Sequence, residues 1–251
     1  MEILKVCNVN KIYGNNIVTK AVDNVSFTIE EGEFLGIMGP SGSGKTTLLN
    51  MISTIDKPSS GEIYLKDKNI HKEKGDNLAK FRRSELGFVF QDYNLIDTLT
   101  IKENIILPLT LDGIPVEKQN ERLENVAQIL GIEKVLNKRT FEVSGGQAQR
   151  AAVARAIIHK PSLLLADEPT GNLDSASSKD VMELFSKINK EGNVTTMMVT
   201  HDPVAASFCN RILFIKDGKI YNEIYNGGSK EKFYQEILDV LSMVGGNNNG
   251  I

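Results

Sequence analysis

The sequence contains no tryptophan, few aromatic residues and only two cysteines among its 251 residues. Two thiols as distant as Cys7 and Cys209 make no disulfide framework, so we expect a reducing compartment and buried structural cysteines. No apolar run is long enough to span a bilayer, and residues 1–5 lack the features of a signal peptide. We therefore expect a protein on the cytoplasmic face of the membrane, attached to it only through a partner.

An excess of basic residues is also missing. The 29 lysines and arginines are balanced by 32 acidic residues, which gives a net charge of −3. Because nucleic-acid binding normally requires clustered positive charge, we expect no nucleic-acid partner. The hydrophobic content of 41% and the charged content of 24% are ordinary for a globular protein with a sizeable core.

The order of apolar patterns predicts an α/β fold. Strand patterns cover residues 3–9, 18–38, 62–65, 84–91, 163–166 and 194–200, and helical patterns cover residues 44–53, 100–159 and 176–190. Apolar strands that alternate with helices predict a parallel sheet covered by helices. Asp217-Gly218, between two apolar runs, predicts a hairpin. We divide the chain into a core of residues 1–91 and 161–228, a helical insertion of residues 92–160 and a helical tail of residues 229–251.

A glycine-rich loop follows the buried strand pattern of residues 34–38 and opens a helix. We define the phosphate loop as Gly39, Pro40, Ser41, Gly42, Ser43, Gly44, Lys45, Thr46 and Thr47. Its glycines allow tight winding, so that backbone N–H groups and the helix N-terminus face phosphate oxygens. We expect Lys45 to reach the β- and γ-phosphates and Thr46 to bind Mg²⁺, with further hydrogen bonds from Ser43 and Thr47. The alternative, a turn without a ligand, is disfavoured by the flanking strand and helix.

Two carboxylates, Asp167 and Glu168, end the apolar strand pattern of residues 163–166. Ligands of parallel sheets bind at the carboxyl ends of strands. We expect Asp167 to hold Mg²⁺ through water and Glu168 to act as the general base on the attacking water. Two solvated acids are the alternative, which the buried strand and the upstream loop disfavour.

A second glycine-rich segment precedes an alanine-rich helix pattern. We define the signature loop as Ser144, Gly145, Gly146 and Gln147. Ser144 is a good N-cap residue, and the glycines leave backbone N–H groups bare for an anion. In isolation a simple helix cap would be the favoured interpretation. One chain, however, does not need two anion sites for one triphosphate.

In this order and with these neighbours, the motifs resemble those of the ATP-binding subunits of ABC transporters, over almost the whole chain. The resemblance implies a P-loop, RecA-like ATPase with an N-terminal antiparallel β subdomain and an inserted helical subdomain. It also implies ATP and Mg²⁺ as cofactors, a head-to-tail dimer of two copies and a multi-helix membrane permease as partner. The signature loop would then cap the γ-phosphate of ATP bound to the other copy.

The resemblance assigns further site residues. Tyr13 matches the aromatic residue that stacks on adenine, Gln91 a glutamine that touches Mg²⁺, and His201 a histidine that contacts the γ-phosphate. Asp174 lies in the loop of residues 171–174, which crosses the dimer interface in that family. The alternatives are a strand-end tyrosine, a surface glutamine, an ordinary polar histidine and a helix cap by Asp174 or Ser175. Two residues depart from the family pattern, Val143 and Ala148.

Longer stretches of sequence indicate which branch of this family the chain resembles. Residues 88–100 and 166–174 resemble the group that serves macrolide export and lipoprotein release. Residues 200–207 and 214–221 resemble the ATPases of bacitracin-type peptide-antibiotic exporters, many of which cooperate with a sensor histidine kinase. The alternatives are a soluble ABC ATPase acting on nucleic acid or ribosomes, which a single acidic cassette disfavours, and a regulatory ATPase that signals to a kinase or a cell-wall enzyme.

The tail carries an amphipathic pattern. Phe233, Ile237, Leu241 and Val244 recur at helical spacing, which predicts a helix that packs on its own domain. A docking element for the permease or the kinase is the alternative. The polar segment of residues 245–250 is expected to fray.

Overall fold

The computed structural model describes residues 1–14 and 18–245. The strands are β1 Glu2–Tyr13, β2 Thr19–Glu30, β3 Phe34–Met38, β4 Ser60–Leu65, β5 Lys68–Asn69, β6 Leu86–Val89, β7 Leu163–Asp167, β8 Thr196–Val199, β9 Arg211–Lys216 and β10 Lys219–Tyr225. The helices are α1 Lys45–Ile52, α2 Gly75–Glu85, α3 Ile101–Leu111, α4 Val116–Leu130, α5 Gly145–Ile157, α6 Ser175–Gly192, α7 Pro203–Ala206 and α8 Lys230–Gly245. We expected the last residues to fray, but residues 246–251 lie outside the described part of the chain.

The strands form two sheets. The larger has the order β10-β9-β3-β8-β7-β6, with parallel pairs from β9 to β6 and an antiparallel hairpin between β9 and β10. The smaller has the order β2-β1-β4-β5 and is antiparallel throughout. The predicted α/β fold with an N-terminal antiparallel subdomain is therefore confirmed, and so is the hairpin at Asp217.

The central strand β3 shows why the larger sheet is buried on both faces. All five of its residues are buried. Phe34 and Met38 pack in one hydrophobic cluster, which also contains residues of α3, α4, α5, α6 and α8. Leu35 and Ile37 pack in a second cluster, together with β1, β2 and α1. Because neighbouring strand residues point to opposite faces, a continuous apolar run is what a strand between two layers requires.

The structure differs from the sequence-based expectations in its details. The strand predicted to begin at residue 84 begins at Leu86, because residues 84 and 85 complete α2. The pattern does not predict α2, which buries only Phe81 and is otherwise largely polar, so it offers few apolar residues for a helical pattern. The helical stretch of residues 100–159 contains three α-helices and two short 3₁₀ helices, Glu133–Val135 and Thr140–Glu142.

The tail forms α8 on the surface of its own domain. Phe233 and Ile237 are fully buried in the cluster beside the larger sheet, and Val244 is buried in the same cluster. A helix that contributes such residues to the main core is an integral part of the domain. Across residues 1–14 and 18–245, helices that are both long and apolar enough to cross a membrane are absent.

Candidate active site

Three neighbouring strands end at the site. In the order β3-β8-β7, Ile37 pairs with Val199, and Val199 pairs with Asp167. The phosphate loop follows β3, Glu168 follows β7 and His201 lies two residues after β8. Parallel register therefore brings segments together that are more than a hundred residues apart in sequence.

The phosphate loop requires its glycines. Gly44 has φ +103°, and a Cβ there would lie 2.2 Å from the carbonyl oxygen of Ala21. Gly39 has φ +155°, and a Cβ there would lie 2.0 Å from the carbonyl oxygen of Ile215. A side chain would be sterically excluded at both positions, and the left-handed conformation of Gly44 is unfavourable for other residues as well.

Lys45 is buried beneath this loop. Its Nζ donates to the carbonyl oxygens of Gly39 and Pro40, each at 2.9 Å. Burial lowers the pKa of the Lys45 ammonium, and the carboxylates of Glu168 and Asp167 act in the opposite direction. The ammonium is therefore held at the loop by weak neutral partners and is available to an anion.

Asp167 has an unusual environment for a carboxylate. Its Oδ1 is buried and has no hydrogen-bond partner among the described residues. Burial raises its pKa, the charge of Glu168 adds to this effect, and Lys45 opposes it. Ser43 Oγ, in the neighbouring loop, is likewise buried and unpartnered within the described chain. Because unpaired buried polar atoms are costly, this donor set fits a phosphate with its divalent cation.

Glu168 and His201 form a pair at the edge of the site. Glu168 Oε1 lies 3.0 Å from His201 Nδ1. Glu168 has φ +44°, a left-handed conformation that is uncommon for a non-glycine residue and is often found at functional sites. Its backbone N–H donates to the carbonyl oxygen of Val199 at 2.9 Å, which ties the residue to the end of β8.

Gln91 lies against the loop of residues 171–174. Its Nε2 donates to Asn172 Oδ1 at 3.4 Å, and Asn172 Nδ2 donates to Asp92 Oδ1 at 2.7 Å. A Cβ on Gly171 would lie 2.9 Å from Gln91 Nε2. In the same loop, Asp174 caps α6 by accepting from two backbone N–H groups, so Asp174 and not Ser175 is the cap.

The signature loop opens α5 with a capping box. Ser144 Oγ accepts from the N–H of Gln147 at 3.3 Å, and Gln147 Oε1 accepts from the N–H of Ser144 at 3.0 Å. Of the hydrogen bonds and ion pairs within residues 1–14 and 18–245, none joins residues 144–147 to the phosphate loop. The structure brings the phosphate loop, Asp167, Glu168 and His201 together, and it leaves the signature loop without such a contact.

Tyr13 ends β1 and is 42% exposed. Its hydroxyl donates to Asp56 Oδ2 at 2.6 Å, and Lys11 Nζ lies 2.6 Å from Asp56 Oδ1. Sequence reasoning did not include Lys11 or Asp56. The position of Lys11, two residues before Tyr13 on the same strand face, is a usable signal, whereas no sequence pattern connects Asp56 to Tyr13.

A glycine-rich loop that opens a helix at the end of a central parallel strand, with an acidic pair nearby, defines the class of P-loop nucleoside triphosphatases. Within this class, the family model described as ABC transporter matches residues 22–171. The chain belongs to this family, whose ATP-binding subunits hydrolyse ATP to power transport.

Individual relatives agree with this assignment along the whole chain. The chain is 61% identical over 250 residues to the ABC transporter ATP-binding protein YxdL of Bacillus subtilis, with 100% of this chain and 97% of the relative covered. It is 47% identical over 251 residues to the bacitracin export ATP-binding protein BceA of Halalkalibacterium halodurans, with 99% of each covered. The resemblance to a bacitracin-type exporter ATPase is therefore confirmed.

The wider group and the fold are matched as well. LolD of Aquifex aeolicus, a lipoprotein-releasing system ATP-binding protein, is 43% identical over 89% of this chain and 98% of its own. A macrolide export ATP-binding/permease protein, MacB of Campylobacter jejuni, is 42% identical over 90% of this chain and 34% of its own. A dimeric structure of the cassette MJ0796 of Methanocaldococcus jannaschii, bound to ADP and Pi, superimposes with a TM-score of 0.82 at 40% identity and covers 90% of this chain and 100% of that chain.

Proposed function

We propose that this chain is the ATP-hydrolysing subunit of a transporter that exports or detoxifies peptide antibiotics. The observation that carries the substrate class is the similarity to BceA, which extends over 99% of both chains. In the proposal the chain lies on the cytoplasmic face of the membrane and binds a multi-helix permease. The similarities described above do not support the sensor histidine kinase that was expected as a further partner. The proposal therefore does not include one.

The phosphate loop binds ATP in this proposal. Its backbone N–H groups and the Lys45 ammonium contact the phosphates, because the hydrogen bonds that Lys45 makes within the described residues go to neutral carbonyl oxygens. Thr46, Gln91 and Asp167 hold Mg²⁺, which neutralises phosphate charge when it is bound. The unpartnered Asp167 Oδ1 supports this role. Tyr13 stacks on the adenine ring.

Glu168 is the proposed general base. Its carboxylate takes a proton from the attacking water, and the strained backbone at φ +44° fixes where that carboxylate lies. His201 lies 3.0 Å from Glu168 Oε1 and orients it while contacting the γ-phosphate. This pairing gives both residues a role in the same step.

The second copy completes the site. The signature loop presents the N-terminus of α5 without a contact to the phosphate loop of its own chain within the described residues. A helix N-terminus favours an anion, so we assign Ser144, Gly145, Gly146 and Gln147 to the γ-phosphate held by the other copy. Asp174 then lies at the interface, and the dimeric assembly of MJ0796 supports this arrangement.

Replacement of the base tests the proposal. Glu168→Gln retains the shape of the side chain but cannot accept the proton, so ATP binding should persist while turnover falls by about 10²–10⁴-fold. ATP-bound dimers should accumulate, which size-exclusion chromatography with light scattering measures in the presence of the co-purified permease. Glu124→Gln, at an exposed position of α4, is the matched control. A Glu168→Gln protein that stays monomeric with ATP and permease would contradict the assignment.

The substrate class needs its own measurement. The complex of this chain with the permease that co-purifies with it should show ATPase activity that bacitracin-type peptides stimulate. Stimulation by lipoproteins or macrolides in place of peptides would transfer the chain to one of the related branches.

A further inference from the structure

Tyr13 is held in place although it is exposed at the end of β1. A tyrosine ring in such a position normally retains side-chain freedom, which a ligand must remove on binding. Here the hydroxyl donates a short hydrogen bond of 2.6 Å to Asp56 Oδ2. The ring orientation is therefore set before any ligand arrives.

Asp56 is itself anchored to the segment that follows α1. Its backbone N–H donates to the carbonyl oxygen of Asn50 at 3.0 Å, and its Oδ1 accepts from the N–H of Lys57 at 2.7 Å. Because α1 begins at the phosphate loop, the hydrogen bond from Tyr13 connects the ring to the same rigid element that presents the phosphate-binding groups. The distance between ring and phosphate loop is thereby fixed.

Lys11 completes the arrangement. Its Nζ lies 2.6 Å from Asp56 Oδ1, donates to the carbonyl oxygen of Lys57 at 2.8 Å and lies 4.8 Å from the centroid of the Tyr13 ring. Burial acts to raise the pKa of Asp56, but the hydrogen bonds from Lys11 and Tyr13 hold it below its ordinary value. The carboxylate therefore remains charged and keeps both partners.

We propose that Asp56 and Lys11 are positioning residues that fix the Tyr13 ring as a platform for the nucleobase. The Lys11 ammonium covers one face by a cation–π contact, and the base stacks on the other face. This inference rests on the proposed ATP site and adds to it a pair that acts on the base alone. The triphosphate is bound by the phosphate loop and does not depend on the pair.

A ligand with a nucleobase and a ligand without one separate the contribution of the Tyr13 platform from that of the phosphate loop. Affinities of the full chain for MgATP and for magnesium tripolyphosphate are measured by calorimetry. Asp56→Ala should weaken ATP binding about threefold to tenfold, because the Tyr13 ring loses the charge-assisted hydrogen bond that orients it, and leave tripolyphosphate binding unchanged. In turnover, the KM for ATP should rise by the same factor while kcat is retained. Asp76→Ala, at an exposed position of α2, is the matched control.

A double-mutant cycle shows whether Asp56 affects ATP binding through its hydrogen bond with Tyr13. Tyr13→Phe should weaken ATP binding by no more than Asp56→Ala does, and the double variant should be no weaker than Asp56→Ala alone, because both substitutions remove the hydrogen bond between Tyr13 and Asp56. Lys11→Met keeps the stem of the side chain and should produce a smaller loss.

Two outcomes would overturn the inference. Additive losses in the cycle, or equal losses for ATP and tripolyphosphate, would mean that Asp56 stabilises the domain in general and does not position the ring. Lys45→Ala serves as the reference for the phosphate site: if it weakened neither ligand, the proposed ATP site would be wrong and the platform would fall with it.

Discussion

The phosphate loop and the signature loop are both glycine-rich, and each opens a helix, but their glycines have different functions. In the phosphate loop, Gly44 has a left-handed backbone, and any side chain there would collide with the carbonyl oxygen of Ala21. In the signature loop, Gly145 and Gly146 belong to α5 and have no positive φ. Helical backbone tolerates any ordinary residue, so the backbone conformation does not require glycine there, although a Cβ on Gly145 would lie 3.0 Å from Tyr93 Oη of the same chain.

The two loops also differ in their charged neighbours and in the space around their glycines. The phosphate loop has a buried lysine with two acidic neighbours, and a Cβ at Gly44 would collide with backbone of its own chain. A Cβ on Gly146 would lie 3.4 Å from the side chain of Ser177, which is an ordinary contact distance. The phosphate loop thus has its lysine and its acidic neighbours within one chain. The signature loop is a surface whose ligand, in our proposal, comes with a second copy.

The largest expected effect separates the loops by charge. Lys45→Ala removes the only side-chain cation of the phosphate loop and should weaken ATP binding roughly a hundredfold, as expected for a charged hydrogen-bonding partner. Binding of a fluorescent ATP analogue to the isolated chain measures the loss. Lys80→Ala, at an exposed position of α2, is the control. Unchanged affinity in Lys45→Ala would show that the loop does not hold the phosphates.

A pair of identical substitutions separates the loops by conformation. Gly44→Ala should lower the free energy of unfolding by about 2–4 kcal/mol, because the new Cβ would lie 2.2 Å from a backbone oxygen and the backbone is left-handed. Gly146→Ala should change it by less than about 1 kcal/mol, because alanine is a good helix former. It should nevertheless reduce ATP-dependent dimerisation, because the added methyl group contacts Ser177 of α6 and thereby disturbs the loop that we assign to the partner's phosphate.

Urea unfolding and light scattering with ATP test this pair. The comparison would be broken if Gly146→Ala destabilised the fold as strongly as Gly44→Ala, because the signature glycines would then serve the fold of their own chain.

The smallest expected effect separates capping from ligand binding. Ser144→Ala removes the side-chain partner of the Gln147 N–H and should cost about 1 kcal/mol of stability. Thr100→Ala is the matched control, because Thr100 forms the same kind of capping box at the start of α3. Both variants should lose similar stability in thermal unfolding, and only Ser144→Ala should also lose ATPase activity. Equal activity in the two variants would reduce Ser144 to a helix cap.

Local motifs could be predicted from the sequence because their physics is local. The phosphate loop, the N-cap at Ser144 and the hairpin at Asp217 each depend on a few consecutive residues. The run of residues 34–38 likewise predicts a buried central strand, which β3 is. The sequence does not predict the helix α2, because the helix is largely polar and buries a single side chain, Phe81.

The contacts between distant residues of the site could not be predicted in this way. Glu168 and His201 are 33 positions apart in the numbering and meet at 3.0 Å because β7 and β8 are neighbours in a parallel sheet. Tyr13 and Asp56 meet across 43 residues through the packing of β1 against the segment after α1. No short-range pattern encodes such pairs, since they depend on which strands become neighbours.

The sequence by itself determined the family, the nucleotide-binding motif and the residue types available for catalysis, because tight turns, caps and apolar runs depend on neighbouring residues. Only the tertiary structure decided that Asp167 keeps a buried, unpartnered oxygen, that Tyr13 is held by Asp56, and that the signature loop makes no described contact with its own phosphate loop. These properties follow from sheet order and burial, which arise when distant segments pack together and exclude water.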